Sequence, residues 1–156
     1  MERLAQVVTR RQDLIAEIGA ASQAYQRASD GFDDAVAGLL GVNRTDLRCL
    51  DWLSSGPITI GRLADVTGLS SAAATSLVDR LERKGYVRRV RDGADRRRIL
   101  VELTEAALAR VGEVYGPIVS DGVALLAGYD EREQRLVRDF LRESSAISER
   151  HRRRIG

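Results

Sequence analysis

Between Arg80 and Arg98 the chain places nine basic residues, Arg80, Arg83, Lys84, Arg88, Arg89, Arg91, Arg96, Arg97 and Arg98, against three acidic ones, Glu82, Asp92 and Asp95. The whole molecule has a formal charge of only +2, so acidic surface elsewhere balances this local excess. Guanidinium groups at that density repel one another unless water or an anion lies against them. Charge sorted in this way marks a face for a polyanion. Just upstream, SSAAATS at residues 70–76 offers short hydroxyls and methyl groups, with Arg80 and Arg83 a turn or two further on. Small side chains let a helix backbone come close to a flat edge, and arginines beyond them can reach phosphates. The chemistry these types suit is noncovalent recognition.

Covalent chemistry is poorly provided for. His151 is the only histidine and lies in a basic stretch, HRRRIG, where solvation is the simplest reading. A hydrolytic triad needs a histidine packed beside a nucleophile. With Cys49 as the only cysteine, no tetrahedral Cys/His zinc set can be assembled and no internal disulfide can form. The sequence contains no Walker-type phosphate loop and no dinucleotide fingerprint. Asp33 and Asp34 adjoin along the chain, but neighbouring helix positions do not face each other, so they read as solvated surface. We expect neither an enzyme nor a cofactor. Cys49 sits among Leu47, Leu50 and Leu53 and reads as a core thiol in preference to a redox sensor. The start, MERLAQVVTRRQDL, lacks the apolar core of a signal peptide, and no uncharged apolar run approaches the roughly 20 residues of a membrane span. A cytoplasmic protein with no membrane partner is expected.

The elements that would position the recognition residues can be read from periodicity and punctuation. Residues 3 to about 40 repeat apolar side chains at helical spacing, with a bend or break expected near Gly31. A second helix starts after Asn43 or Thr45 and stops before Ser54-Ser55-Gly56-Pro57. Thr59 caps a short helix that must end at Gly68, and Ser70 caps the next, which Gly85 closes. That helix has Ala74, Leu77, Val78 and Leu81 on one face and Ser71, Ala72, Thr75, Ser76, Arg80 and Arg83 on the other. Residues 87–91 and 98–103 read as antiparallel strands joined through Asp92-Gly93. Thr104 caps a final helical region that Gly116-Pro117 should kink or break. The last segment, after Gly128, runs from acidic to basic, as a helix dipole favours.

Helix, glycine turn, helix and strand pair form the layout of a winged helix-turn-helix, whose second helix fits a major groove about 12 Å wide. The fold expected is mainly α with a small β-hairpin wing. An alanine-rich helix of a plain bundle would explain residues 71–83 alone, but not the cationic hairpin that follows them.

Residues 45–104 resemble the core of the multiple-antibiotic-resistance regulator (MarR) family of transcription factors. ITIGRLADVTGLSSAAATSLVDRLERKGYVRRV and the wing signature DRRRILVELT carry the likeness. The resemblance implies a DNA-binding regulator in which residues 42–103 form the winged core, between dimerisation helices at 1–41 and 104–156. By position, Arg97 matches the wing arginine that enters a minor groove and Asp95 the acid that orients it. Ser70 matches the recognition-helix cap, and Ser71, Ala72, Ala73, Thr75 and Ser76 match positions facing bases. Arg80 matches a backbone or base contact. Arg89 and Arg96 are further candidates on the wing. Many relatives carry a long polar residue where this chain has Ser76, so reading should lean on methyl contacts, water and groove shape.

The family's two-fold dimer makes Leu4, Val7, Leu14, Leu136, Val137, Phe140 and Leu141 candidates for the subunit seam, and two-fold symmetry implies a pseudo-palindromic operator. Relatives often bind small phenolic or anionic effectors, which would make this chain a ligand-released repressor. Trp52 and Tyr25 could line such a pocket, although aromatics at helical spacing are more often core. No residue is singled out as a ligand contact. Two rival readings stay open: a winged helix that docks a protein, and an architectural protein that binds duplex without sequence preference.

Overall fold

The computed structural model describes residues 2–155, with side chains from residue 10 onward. The elements in order are α1 (Glu2–Leu40), α2 (Arg44–Ser54), β1 (Ile58–Thr59), α3 (Ile60–Thr67), α4 (Ser71–Arg83), β2 (Val87–Arg91), β3 (Ile99–Leu103), α5 (Glu105–Ala127) and α6 (Glu131–Ile155). They divide into one compact unit ending at Ala109 and a second beginning at Arg110.

Local chemistry sets the helix ends of the first unit. Asn43 and Asp46 form a reciprocal capping box at α2: Asp46 N–H donates to Asn43 Oδ1 at 2.8 Å, and Asn43 N–H donates to Asp46 Oδ2 at 3.2 Å. Thr59 Oγ1 accepts from Arg62 N–H at 3.2 Å, and Ser70 Oγ accepts from Ala73 N–H at 3.2 Å, as the sequence predicts. Gly68 turns the chain between α3 and α4 at φ +72°, a left-handed conformation in which a Cβ would be strained.

The buried core of this unit is Cys49, Leu50, Leu53, Leu63, Leu77, Val78, Leu81, Val87, Val101, Leu103 and Ala107. It draws on α2, α3, α4, the sheet and the first turns of α5. Each fully buried Leu or Val contributes about 1.5–3 kcal/mol relative to exposure, so this cluster is what holds α4 in place. The sheet is antiparallel in the order β1-β3-β2, with Arg88 opposite Glu102 and Arg91 opposite Ile99.

Four features bear on these expectations. Helix α1 runs unbroken past Gly31. A lone glycine costs only about 1 kcal/mol, and Val36, Ala37 and Leu40 just beyond it are buried. Helix α5 continues through Pro117; Pro117 and Glu113, whose carbonyl loses its helical donor, are both solvent-exposed, so water can satisfy that group. Strand β1 is not anticipated by the sequence: two residues paired to Val101 and Leu100 are too few to leave a periodic signal. The strands are joined, as their spacing in the sequence requires, by a loop that starts at Asp92-Gly93, where Gly93 does not take a positive φ. The loop runs over 92–98, closed by Asp92 N–H to Arg98 O at 3.0 Å and Arg98 N–H to Asp95 O at 2.9 Å.

In the second unit, α6 begins with another capping box, in which Asp130 and Glu133 exchange backbone-to-carboxylate bonds of 2.8 Å each. Ile118, Val119, Val123, Leu125 and Leu126 of α5 and Leu136, Phe140, Leu141 and Ile147 of α6 are exposed. None of the α6 side chains is buried.

Candidate nucleic-acid interface

Helix α4 presents the two faces its sequence predicts. Ala74, Leu77, Val78 and Leu81 are buried, while Ser71, Ala72, Ala73, Thr75 and Ser76 are exposed. Nothing longer than threonine projects from that outer strip before Asp79. Thr75 Oγ1 donates to the Ser71 carbonyl at 2.9 Å, which leaves the Ser71 and Ser76 hydroxyls as the short donors of the strip without a partner among the described residues.

The wing tip is organised by two aspartates, each accepting from a backbone N–H two residues on: Ala94 N–H to Asp92 Oδ1 at 2.8 Å and Arg97 N–H to Asp95 Oδ1 at 3.0 Å. Asp95 Oδ1 also lies 3.5 Å from Arg97 Nε, so one carboxylate holds both the backbone and the guanidinium of Arg97. The Arg97 side chain is 94% exposed. Arg91 and Arg96 are exposed and, among the described residues, have no carboxylate partner. Arg98 lies 3.6 Å from Asp92, and Arg88 is paired across the strands with Glu102 at 2.7 Å.

Two arginines anticipated as nucleic-acid contacts are engaged inside the protein. Arg80 makes a forked pair with Asp46, whose side chain is buried: Nε donates to Oδ2 at 3.3 Å and Nη2 donates to Oδ1. The Arg80 pKa is raised above its ordinary value, chiefly by that hydrogen bond. Arg89 is tied to α4 by Asp79 at 2.5 Å and by Glu82, which accepts from both its guanidinium and its backbone N–H. Its pKa is raised as well, chiefly by the hydrogen bond to Asp79. The physical reason is proximity: α4 and β2 pack together, which brings the carboxylates at positions 79 and 82 within reach of the strand. The signal available in the sequence for Asp46 was the Asn43-x-x-Asp46 spacing of a capping box. Nothing local indicated that its second oxygen would face Arg80.

Other candidates fall as follows. Cys49 is completely buried, and burial, with the charge of Asp46 adding, pushes its thiol up to about 12, the environment of an inert core cysteine. Asp33 and Asp34 are not bare surface: with Asp30 they surround the Arg44 guanidinium at 4.0, 3.2 and 2.5 Å. Tyr25 and Trp52 are exposed, as is His151. Leu14, Leu136, Phe140 and Leu141 are exposed and Val137 is half-buried; the side chains of Leu4 and Val7 lie outside the described residues. Among the described residues no cluster of His, Cys, Asp or Glu could hold a metal ion, and no helix is long and apolar enough to cross a membrane.

This arrangement has relatives. The model of the MarR family matches residues 40–98, the span from the end of α1 to the wing tip. The HTH-type transcriptional regulator YcgE of Bacillus subtilis is 37% identical over 125 residues, covering 80% of this chain and 81% of its own. The chain belongs to the MarR family. The fold agrees: a MarR family protein from Bacillus stearothermophilus superposes with a TM-score of 0.65 at 23% identity, over 88% of this chain and 96% of that one. A mutant of MepR from S. aureus, solved bound to an oligodeoxyribonucleotide, gives a TM-score of 0.53 at 19% identity, over 81% and 96%. As a MarR family member the protein is a DNA-binding transcriptional regulator and not an enzyme. Its winged helix-turn-helix consists of α3, α4 and the β2–β3 wing.

Proposed function

We propose that the protein is a cytoplasmic homodimeric repressor that reads a pseudo-palindromic operator and is released by a small phenolic or anionic ligand. Residues 42–103 read the DNA; residues 1–41 and 104–156 supply the dimer seam. The observation that carries this reading is the juxtaposition, on one unit, of a helix face bearing only small side chains and a wing tip bearing exposed, largely unengaged arginines. Helix α4 enters the major groove with Ser71, Ala72, Ala73, Thr75 and Ser76 toward the bases, and Ser70 fixes its N-terminus. Methyl groups at 72, 73 and 75 suit thymine methyls, and the two serine hydroxyls accept or donate without imposing a long reach. Arg97, steered by Asp95, enters the flanking minor groove, whose narrow A·T-rich segments attract a guanidinium; Arg96 and Arg91 neutralise phosphates.

Exposed Leu14 on α1 and exposed Leu136, Phe140 and Leu141 on α6, together with half-buried Val137, support a dimer, since apolar surface of that extent invites a second copy. Two recognition helices related by a two-fold axis would then sit about 34–36 Å apart, one DNA turn. Footprinting on the DNA immediately upstream of the protein's own gene, with competition by random duplex, tests the reading. Protection of two half-sites that random duplex cannot displace is expected. Equal displacement by both favours an architectural binder, and no duplex binding favours a protein-docking module.

A further inference from the structure

Asp46 is among the most buried side chains of the first unit, 1% exposed, and it carries a formal charge there. Burying a carboxylate is costly unless every oxygen is satisfied, and removing one partner of such a pair leaves the other stranded. Both oxygens are satisfied, from two different elements. Oδ2 accepts from the Asn43 backbone N–H at 3.2 Å and from Arg80 Nε at 3.3 Å, while Oδ1 accepts from Arg80 Nη2. Asp46 therefore caps α2 and, with the same carboxylate, holds the third turn of α4.

The same end of α4 grips the junction between α1 and α2 at two more points. Lys84 Nζ donates to the Gly41 carbonyl at 2.5 Å, and the Tyr86 hydroxyl donates to the Leu40 carbonyl at 2.7 Å. Those carbonyls belong to the unpaired end of α1, where a helix leaves acceptors without internal partners. Apolar packing holds α4 on the core, and a forked guanidinium–carboxylate pair adds a directional constraint, since it accepts only one orientation.

We propose that Arg80 is a positioning residue and not a DNA contact: the Asp46–Arg80 pair, with Lys84 and Tyr86, locks the roll of α4 against the α1–α2 junction and so sets which of its residues meet the bases. This rests on α4 being the helix that enters the groove. It also makes the end of α1 the route by which a shift of that helix reaches the reading head.

Arg80→Lys separates the alternatives. Lysine keeps a positive charge that a phosphate would still accept but cannot form the fork to Asp46. Specific binding by Arg80→Lys, Arg80→Ala and Asp46→Asn should each fall about tenfold or more, and the Asp46→Asn/Arg80→Ala double variant should fall no further than the worse single one. Binding to random duplex and the dependence of affinity on salt should stay as in the unaltered protein. Rescue by Arg80→Lys, or a salt slope lower by about one in Arg80→Ala with Asp46→Asn binding normally, overturns the proposal in favour of a phosphate contact. Unchanged specific binding in all folded variants reduces the pair to a stabilising contact and also overturns it. Ala73→Glu serves as the control: if it binds normally, α4 is not the groove helix and the underlying reading fails; if it fails to bind while Arg80→Lys binds normally, only the positioning role is lost.

Discussion

Arg97→Ala tests the wing most directly, because the structure predicts a change in DNA binding with almost none in the fold. The side chain is 94% exposed, and its one polar partner among the described residues, Asp95, lies at 3.5 Å on the surface. An exposed ion pair of this kind contributes about 0–1 kcal/mol, so the thermal midpoint should not move measurably. The wing-tip turn should also survive, since Asp95 still accepts from the backbone N–H at position 97. DNA binding should respond through counterion release, about 0.9 counterions for each neutralised phosphate charge. One arginine per wing, two per dimer, then removes about 1.8 from the slope of log affinity against log salt. Over the roughly fourfold rise from about 50 to about 200 mM salt, the unaltered protein should lose about 12-fold more affinity than the variant. Fluorescence anisotropy on an operator fragment across a series of salt concentrations gives both slopes. Parallel lines would refute the assignment of Arg97 to the groove, however much the absolute affinity changed. Asp95→Asn in the same series should weaken binding while keeping the slope, because the charge at Arg97 remains.

Ala73→Glu should abolish DNA binding with an unchanged melt: residue 73 is exposed, and a glutamate there completes a capping box with Ser70, so loss of helix stability cannot be the cause. Retained binding would mean the wrong face of α4 has been chosen. Cys49 should resist a thiol reagent in the native protein at mildly alkaline pH and react on denaturation, since its pKa is pushed up to about 12. The unfolded thiol ionises first, near its ordinary 9.0, so stability is full below that pH and declines as pH rises from there toward 12. Chemical denaturation of the unaltered protein and Cys49→Ala across that range should show a steeper decline in the former. Leu63→Ala, at a side chain with no exposure, should cost about 2–5 kcal/mol in the same assay; a loss under about 1 kcal/mol would mean the core collapses around the gap. Leu136→Glu combined with Phe140→Glu should halve the solution mass measured by light scattering, and an unchanged dimer mass would place the seam elsewhere.

Much of the reading head was legible in the sequence because its signals are local. Ser70 and Thr59 as caps, Gly68 as the left-handed turn, and the split of residues 71–81 into a buried and an exposed face each depend on backbone and side chains within a few residues. The Asp95–Arg97 pair is equally local, two residues apart on one loop. Helix α1 stays unbroken where a local rule met a stronger one. Burial of Val36, Ala37 and Leu40 outweighed the break that Gly31 allowed, and the two aspartate turns build the wing-tip loop that starts at Asp92-Gly93.

Period, punctuation and composition are enough to specify a winged helix with a small-faced recognition helix and a cationic wing, because each is a property of neighbouring residues. Which charges find a carboxylate inside the protein is a different kind of question, and packing answers it. Arginines at 80, 89 and 97 look alike in the sequence, and each could meet a phosphate. Folding brings Asp46, from 34 residues away, under Arg80 and sets Asp79 and Glu82 beside Arg89, while Arg97 stays in solvent on the loop, paired among the described residues with Asp95 alone. A guanidinium finds its carboxylate through space, and that distance does not exist until the helices have packed.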